Sequence, residues 1–383
     1  MNGILDKMER TLAPHLRKDL PRKIILLSGP RQSGKTTLAK MVEPDHEYVS
    51  YDDAEHRTTL IDRSWDRGKK LLILDELHKM PRWKGWLKGL HDTEGLHPPI
   101  IVTGSARLET YRKVGDSLAG RYFPFRLHPL DLKELHQARG AAATPDALDR
   151  LLRLSGFPEP FLDGTEVFYK RWRRTHLDII LRQDLIELAD VQHIVQVETL
   201  IELLRSRVGS PISHASLARD LGCSDKTVKG WLLLLENMYV IFKVPPFHRN
   251  VARSLLKAPK YYFFDCARVK GDEGARFENL VAAALLKEVQ LRVDTLGEDL
   301  HLRYLRTKDG REVDFVLEQD GKARLLIEAK WSDEGVSPPL RYFAAQLPEA
   351  RAVQLVAKLR REKTYPDRVE VRQASSWLAA MPL

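Results

Sequence analysis

A chain of 383 residues is too long for one ordinary core and predicts two or three domains. Its 43% hydrophobic and 30% charged content describes a globular protein, and no apolar run approaches the ~18 residues of a membrane span, which excludes an integral membrane class. Against 53 Asp and Glu stand 62 Lys and Arg, and the formal charge of +9 favours a polyanionic partner, with nucleic acid first.

In chain order, Ile4, Leu5, Met8, Leu12 and Leu16 recur at near-helical spacing and predict an amphipathic helix over residues 1–20, ended by Pro21. Asp6, Lys7, Glu9 and Arg10 break any apolar core that a signal peptide would need. The run Ile24-Ile25-Leu26-Leu27 reads as a strand buried on both faces. Gly29-Pro30-Arg31-Gln32-Ser33-Gly34-Lys35-Thr36 follows, fitting G-x-x-x-x-G-K-[ST], and Thr37 to Val42 continue as helix until Pro44. Strand, glycine-bearing loop and helix in this order make a phosphate cradle. Backbone amides from the loop through Thr37 are expected to hold the phosphates of ATP, aided by the helix dipole. Lys35 reaches the β- and γ-phosphates, and the Thr36 hydroxyl ligates Mg2+. The alternative is a Gly-rich turn in an unrelated α/β unit.

Tyr48-Val49-Ser50-Tyr51 reads as a second strand, ending at Asp52-Asp53. The apolar run Leu71-Leu72-Ile73-Leu74 ends in Asp75-Glu76. At a strand's carboxyl end Asp75 holds the magnesium through water, and Glu76 polarises the attacking water. A third strand, Pro99 to Val102, leads into Thr103-Gly104-Ser105, where Ser105 is expected to sense the γ-phosphate, or both hydroxyls cap the next helix. Arg121, flanked by Gly120 and followed by the strand Phe123 to Leu127, is the candidate arginine finger for a neighbouring subunit's γ-phosphate. Its alternative is an ion pair with an acid of its own domain.

Residues 138–145 read as a linker, and the pattern beyond them is helical. Lys170-Arg171-Trp172-Arg173-Arg174 suits phosphate contact with stacking, or a solvated helix face with one packed Trp, which is the reading taken. Between Pro211 and Pro246 a short helix, a turn, a second helix capped by Ser224 and the strand Tyr239 to Val244 follow in the order of a winged helix-turn-helix. Lys226, Thr227 and Lys229 near the start of the second helix, with Arg249 beyond it, are the expected DNA contacts; such domains also act as protein–protein spacers. Cys223 and Cys266 have no metal-ligand spacing and read as free thiols in a reducing cytoplasm.

From Lys260 onward a third unit is expected. Tyr261 to Asp265 reads as a strand, Gly274 to Val281 opens a helix, and a strand over Leu302 to Thr307 precedes Glu312 to Leu317 and Ala323 to Lys330, which form a hairpin through Gln319-Asp320-Gly321-Lys322. Alternation puts Glu328 and Lys330 on one face, where Asp314 and Glu278 can converge. Carboxylates binding magnesium beside a lysine make a phosphodiester-cleaving site, with Asp314 and Glu328 as the metal ligands; solvated charges on an edge hairpin are the alternative.

On these residues the amino-terminal block resembles the AAA-type P-loop ATPases of bacteria and archaea that carry G-P-R-Q-x-G-K-T, here Gly29 to Thr36, with similar segments at Leu74-Asp75-Glu76, Thr103-Gly104-Ser105, Ala119-Gly120-Arg121 and Gly156-Phe157-Pro158. The carboxy-terminal block is similar to the PD-(D/E)xK restriction-endonuclease-like fold, and the resemblance implies Glu278, Asp314, Glu328 and Lys330 as its catalytic set. The expected fold class is α/β: a P-loop AAA-type ATPase domain over residues 1–137, a helical and winged-helix domain over 146–259, and a restriction-endonuclease-like domain over 260–383. The expected protein is a cytoplasmic, ATP- and Mg2+-dependent homo-oligomer, a hexameric ring, that remodels or translocates on branched or broken DNA. The alternative is an ATP-controlled switch or defence factor with the nuclease-like domain as effector.

Overall fold

The structure is a computed structural model that describes residues 8–104, 118–139, 144–181, 194–247 and 258–381. Ile4, Leu5, Ser105 and Arg249, and residues 140–143 of the expected linker, lie outside the described residues. The chain divides into two compact units, one built mainly from residues up to Pro129 and the other mainly from Leu130 onward.

The first unit is a five-stranded sheet of β1 (Ile24–Ser28), β2 (His46–Ser50), β3 (Leu71–Asp75), β4 (Ile100–Thr103) and β5 (Tyr122–Arg126), in the order β2-β3-β4-β1-β5. Every neighbouring pair is parallel. The central strands β1, β3 and β4 are buried along their whole length, which is why their sequences are unbroken apolar runs. At the edges β2 and β5 are partly exposed and carry polar residues. The crossover helices are α2 (Lys35–Val42), α3 (Ala54–Asp62) and α4 (Trp83–Glu94), and the core joins Leu26, Leu72, Leu74 and Val102 to Leu60, Trp83 and Leu87. The expected first helix is shorter among the described residues: α1 spans Ala13–Asp19, with a proline in its first turn. Proline is pre-organised for that position because the missing N–H has no intrahelical partner there. Because β1, β3 and β4 run in one direction, Ser28, Asp75 and Thr103 finish at the same edge of the sheet. Ligands of open α/β sheets bind outside that edge.

The second unit begins with helices, among them Glu166–Ile179, Ile194–Arg205, His214–Leu221 and Asp225–Asn237. Trp172 is buried against Phe157 and stacks on His176 with ring centroids 4.4 Å apart, so the Lys170–Arg174 run is a helix with its aromatic packed inward. Strands β6 (Ile241–Val244) and β7 (Lys260–Phe263) form an antiparallel pair. Lys260–Phe263 thus completes the two-stranded sheet that follows the helix-turn-helix segment.

Beyond it run the helix Glu273–Leu296 and a six-stranded sheet of β8 (Leu300–Arg306), β9 (Glu312–Gln319), β10 (Lys322–Ser332), β11 (Arg351–Lys358), β12 (Lys363–Thr364) and β13 (Val369–Gln373), ordered β12-β13-β11-β10-β9-β8. The β9–β10 hairpin turns through Asp320 (φ 51°) and Gly321 (φ 74°), the paired positive φ values that a two-residue hairpin loop requires. One face of this sheet packs Val313, Val316 and Leu326 against Leu340 and Phe343 of the helix Pro338–Gln346. Both cysteines are free thiols. Among the described residues no helix is long and apolar enough to cross a membrane.

Candidate functional site

The loop between β1 and α2 closes around its own backbone. Gly29 has φ +146°, and a Cβ there would meet the Leu127 carbonyl oxygen at 2.2 Å, so only glycine fits. Gln32 (φ 60°) and Gly34 (φ 93°) also take positive φ, and Gly34 caps α2 in the left-handed conformation. The Lys35 ammonium donates to the carbonyls of Gly29 at 3.1 Å and Pro30 at 2.7 Å. Ser33 is buried, and its hydroxyl has no hydrogen-bond partner. Arg10, buried outside the motif, donates to the Ser33 carbonyl at 3.0 Å and the His128 carbonyl at 2.5 Å, tying the loop to the segment after β5. Of the other loop residues Arg31 is half-buried, while Gln32 and Thr37 are exposed.

At the neighbouring strand end Asp75 collects three hydroxyls. Thr36 Oγ1 donates to Oδ2 at 3.0 Å, the Tyr48 phenol donates to the same oxygen at 2.8 Å, and Thr103 donates to Oδ1. Burial first, and then the charge and hydrogen bond of Asp75, push the Tyr48 phenol up to about 12, so it remains a donor. Donors of this kind fix the direction of the carboxylate. A hydroxyl beside a carboxylate is the donor set that suits a hard divalent cation, so Thr36 and Asp75 fit Mg2+.

Glu76 follows at a left-handed backbone position (φ 54°), with its N–H donating to the Thr103 carbonyl at 3.0 Å. Its carboxylate lies 3.4 Å from Lys79 Nζ, and Lys79 is itself 2.6 Å from Asp52. Burial raises the Glu76 carboxyl above the ordinary carboxylate range, an effect that Lys79 opposes. Such a group sits closer to neutrality, where it can take a proton from water.

Arg121 is elsewhere. It precedes β5, whose Tyr122 pairs with Ile24 at the start of β1, so the length of β1, about 13 Å at the usual rise per residue, separates it from the loop. Its guanidinium makes a two-pronged pair with Asp92 at 2.8 and 3.2 Å, the intradomain alternative to the finger.

In the second unit Glu278, Asp314, Glu328 and Lys330 do converge, with an addition the pattern did not reveal. Lys260 is fully buried, and its ammonium lies 2.6 Å from Glu312, 3.3 Å from Glu278 and 3.6 Å from Asp314. The Tyr262 phenol donates to Glu278 at 2.7 Å, and the Ala329 N–H donates to Asp314 Oδ2 at 2.9 Å. Lys330 Nζ pairs with Glu328 at 2.9 Å, while the other Glu328 oxygen is buried without a hydrogen-bond partner among the described residues. Burial, then repulsion from Asp314, pushes Glu278 and Glu328 up to about 7. Burial would pull the Lys260 ammonium down, but Glu278, Asp314 and Glu312 together raise it. Among the described residues no group of three or more His, Cys, Asp or Glu is placed to hold a metal ion. The expected carboxylates are brought together, with the ammonium groups of Lys260 and Lys330 standing among them.

At the start of the helix Asp225–Asn237, Lys226 and Lys229 are exposed, whereas the Thr227 hydroxyl is engaged with Ser224 Oγ at 2.8 Å, inside the cap that Ser224 forms. Sequence reasoning missed Arg10, Tyr48, Lys79 and Lys260. A tyrosine two residues before the end of β2 carried a weak signal for Tyr48, and Lys79 stands only three residues from Glu76; Arg10 and Lys260 carried none, because each acts across a long sequence separation.

Residues 21–136 match the family model of an AAA domain, residues 145–269 a domain of unknown function (DUF8612) and residues 273–375 another (DUF4143). The second match runs past residue 260, as does the β6–β7 pairing. An uncharacterized protein of Mycobacterium tuberculosis is 26% identical over 362 residues, covering 89% of this chain and 78% of its own. An uncharacterized protein of Methanocaldococcus jannaschii is 24% identical over 344 residues, covering 81% and 75%. Among solved structures, a RuvB variant from Thermotoga maritima aligns with 62% of this chain and 89% of its own, at 21% identity and a TM-score of 0.32. With the loop geometry, the AAA match supports a P-loop ATPase domain and hence nucleotide binding.

Proposed function

We propose that this protein hydrolyses ATP at the Gly29–Thr37 loop and uses the cycle to drive an oligomer that acts on DNA. The observation that carries the reading is the shared edge at which Thr36, Asp75 and Glu76 meet beside the phosphate loop. Lys35 exchanges its loop carbonyls for the β- and γ-phosphate oxygens, and Gly29 to Thr37 supply backbone donors. Thr36 and Asp75 would hold a Mg2+ ion, which when bound would supply neutralisation of charge on the phosphates. Tyr48 and Thr103 keep the Asp75 carboxylate aimed at that position. Glu76 accepts a proton from the attacking water.

The DNA reading rests on the formal charge of +9 and on Lys226 and Lys229, exposed at the first turn of a helix that follows a helix and a turn. In an oligomer Arg121 serves the neighbouring site only by leaving Asp92, so that ion pair is a cost of assembly. The test is steady-state ATP hydrolysis by the full chain, alone and with single-stranded, duplex and branched DNA at fixed salt. We expect activity that is abolished in Lys35→Ala, and stimulation by DNA that falls in Lys226→Glu/Lys229→Glu. Hydrolysis that no DNA alters would overturn the DNA reading, and no hydrolysis under any condition would overturn the whole.

A second reading, an ATP-controlled switch, is favoured by one contact. Glu76 is restrained by Lys79, which Asp52 holds in turn. A restrained base turns over slowly and prolongs the ATP-bound state. Slow hydrolysis that rises in Lys79→Met supports this reading over a continuous motor.

A further inference from the structure

We propose that Lys260 is the resident cation of the carboxy-terminal acidic cluster, its ammonium taking the position that a divalent metal ion would need between Glu278, Glu312 and Asp314. A structural lysine, rather than a metal, then holds these three acids together, and Asp314 in particular is not a metal ligand.

The first argument is occupancy. Lys260 Nζ lies within 3.6 Å of all three carboxylates, and the residue has no exposed surface. A metal bound to the same oxygens would stand within a few ångströms of an ammonium that has no path to water, and like charges at that range repel strongly at low dielectric. The second is the use of the remaining oxygens. Glu278 Oε1 also accepts from the Tyr262 phenol, Glu312 Oε2 accepts from Arg306 at 2.8 Å, and Asp314 Oδ2 accepts from the Ala329 N–H. The third is space. A Cβ added at Gly209 would come within 2.6 Å of Glu278 Oε2, so the backbone at Gly209 closes the far side of that carboxylate. Magnesium keeps several waters in a near-octahedral shell and needs the room that Gly209 and Lys260 fill.

The arrangement has a structural purpose. Glu278 comes from the long helix Glu273–Leu296, Lys260 from β7, and Glu312 and Asp314 from β9, so one ammonium joins three elements. The Tyr304 ring of β8 lies 5.4 Å below the same ammonium and adds a further face of negative potential.

The experiment is a titration of the full chain with Mn2+ in the absence of nucleotide, reading free Mn2+ by electron paramagnetic resonance, for wild type, Asp314→Asn, Lys260→Ala and the Lys260→Ala/Asp314→Asn pair. Any ion held near the P-loop is common to all four proteins and cancels. We expect wild type and Asp314→Asn to bind the same number of ions. Lys260→Ala is expected to gain one site, at least tenfold tighter than anything at the cluster in wild type, and the double variant to lose it. A site present in wild type and absent in Asp314→Asn would overturn the proposal. So would a folded Lys260→Ala that gains none, or Mn2+-dependent DNA cleavage by wild type that Asp314→Asn abolishes. Should Lys260→Ala fail to fold, as judged by circular dichroism, the comparison of wild type with Asp314→Asn still decides.

Discussion

Thr36 donates its hydroxyl to Asp75 at 3.0 Å, joining the first turn of α2 to the carboxyl end of β3. The bond crosses 39 residues of chain and places a hydroxyl and a carboxylate at the edge where the phosphate loop turns. Two further hydroxyls, of Tyr48 and Thr103, fix the same carboxylate.

Removing one of these donors tests how far the carboxylate depends on them. Tyr48→Phe deletes a single hydrogen bond to Asp75, worth about 1.5–3 kcal/mol when its acceptor is charged. We expect ATPase activity to fall by roughly ten- to a hundredfold, in line with that loss, and the Mg2+ concentration for half-maximal activity to rise. Nucleotide affinity without Mg2+ should change little, which separates positioning from general damage. An unchanged Mg2+ dependence, measured by titration at saturating ATP, would count against the role given to Asp75.

Binding and chemistry should separate at Lys35 and Glu76. Lys35→Ala removes the charge that meets the β- and γ-phosphates and should lose binding of a fluorescent ATP analogue. Glu76→Gln should keep binding while hydrolysis drops by about 10²–10⁴, the usual contribution of a general base. Wild-type turnover in Glu76→Gln refutes that assignment.

The acidic limb of the ATPase profile should report Glu76. Burial raises its carboxyl, so activity should begin to fall on acidification at a pH above the ordinary glutamate range. Lys79 opposes the shift, so Lys79→Met should move the limb to higher pH. A limb that moves the other way in kcat against pH would contradict the burial argument.

Stability should also depend on pH through the second unit. Glu328 is pushed up to about 7 from its ordinary 4.5, so the folded chain holds a proton there that the unfolded chain releases. Its contribution favours folding at low pH and is lost as pH rises through about 7. The urea midpoint should therefore fall between pH 5.5 and 8 by more in wild type than in Glu328→Gln; those bounds are about one to two units either side of the folded value. Equal slopes would mean that Glu328 does not titrate in this range.

Arg121 offers a test of assembly. As a half-exposed pair with Asp92, it should contribute little to stability. If Arg121 serves a neighbouring subunit, Arg121→Ala should abolish hydrolysis while Asp92→Ala preserves or raises it. Mixing Arg121→Ala with Lys35→Ala should then restore part of the activity. Equal effects of Arg121→Ala and Asp92→Ala, with no recovery on mixing, would leave the arginine with its intradomain role alone.

The amino-acid sequence by itself determined the parts of this protein whose physics is local. A strand buried on both faces must be an apolar run, which made β1, β3 and β4 legible. A loop that turns through positive φ and approaches another backbone needs glycine at Gly29 and Gly34, which made the phosphate cradle legible. Alternation along β10 put Glu328 and Lys330 on one face, and the Asp320-Gly321 turn made the hairpin readable.

Only the tertiary structure decided which charges meet. Arg121 turned toward Asp92 because the parallel register leaves it at the far end of β1 from the loop. Arg10 supports the phosphate loop from 23 residues away, and Tyr48 reaches Asp75 across the β2–β3 pair. Lys260 joins acids 18, 52 and 54 positions distant in sequence, Glu278, Glu312 and Asp314. A lysine in a short aromatic strand reads as an edge residue, since nothing local distinguishes it from one. Its meaning depends on the carboxylates that the helix and the next sheet bring to it, and long-range electrostatics leaves no periodic trace in a sequence.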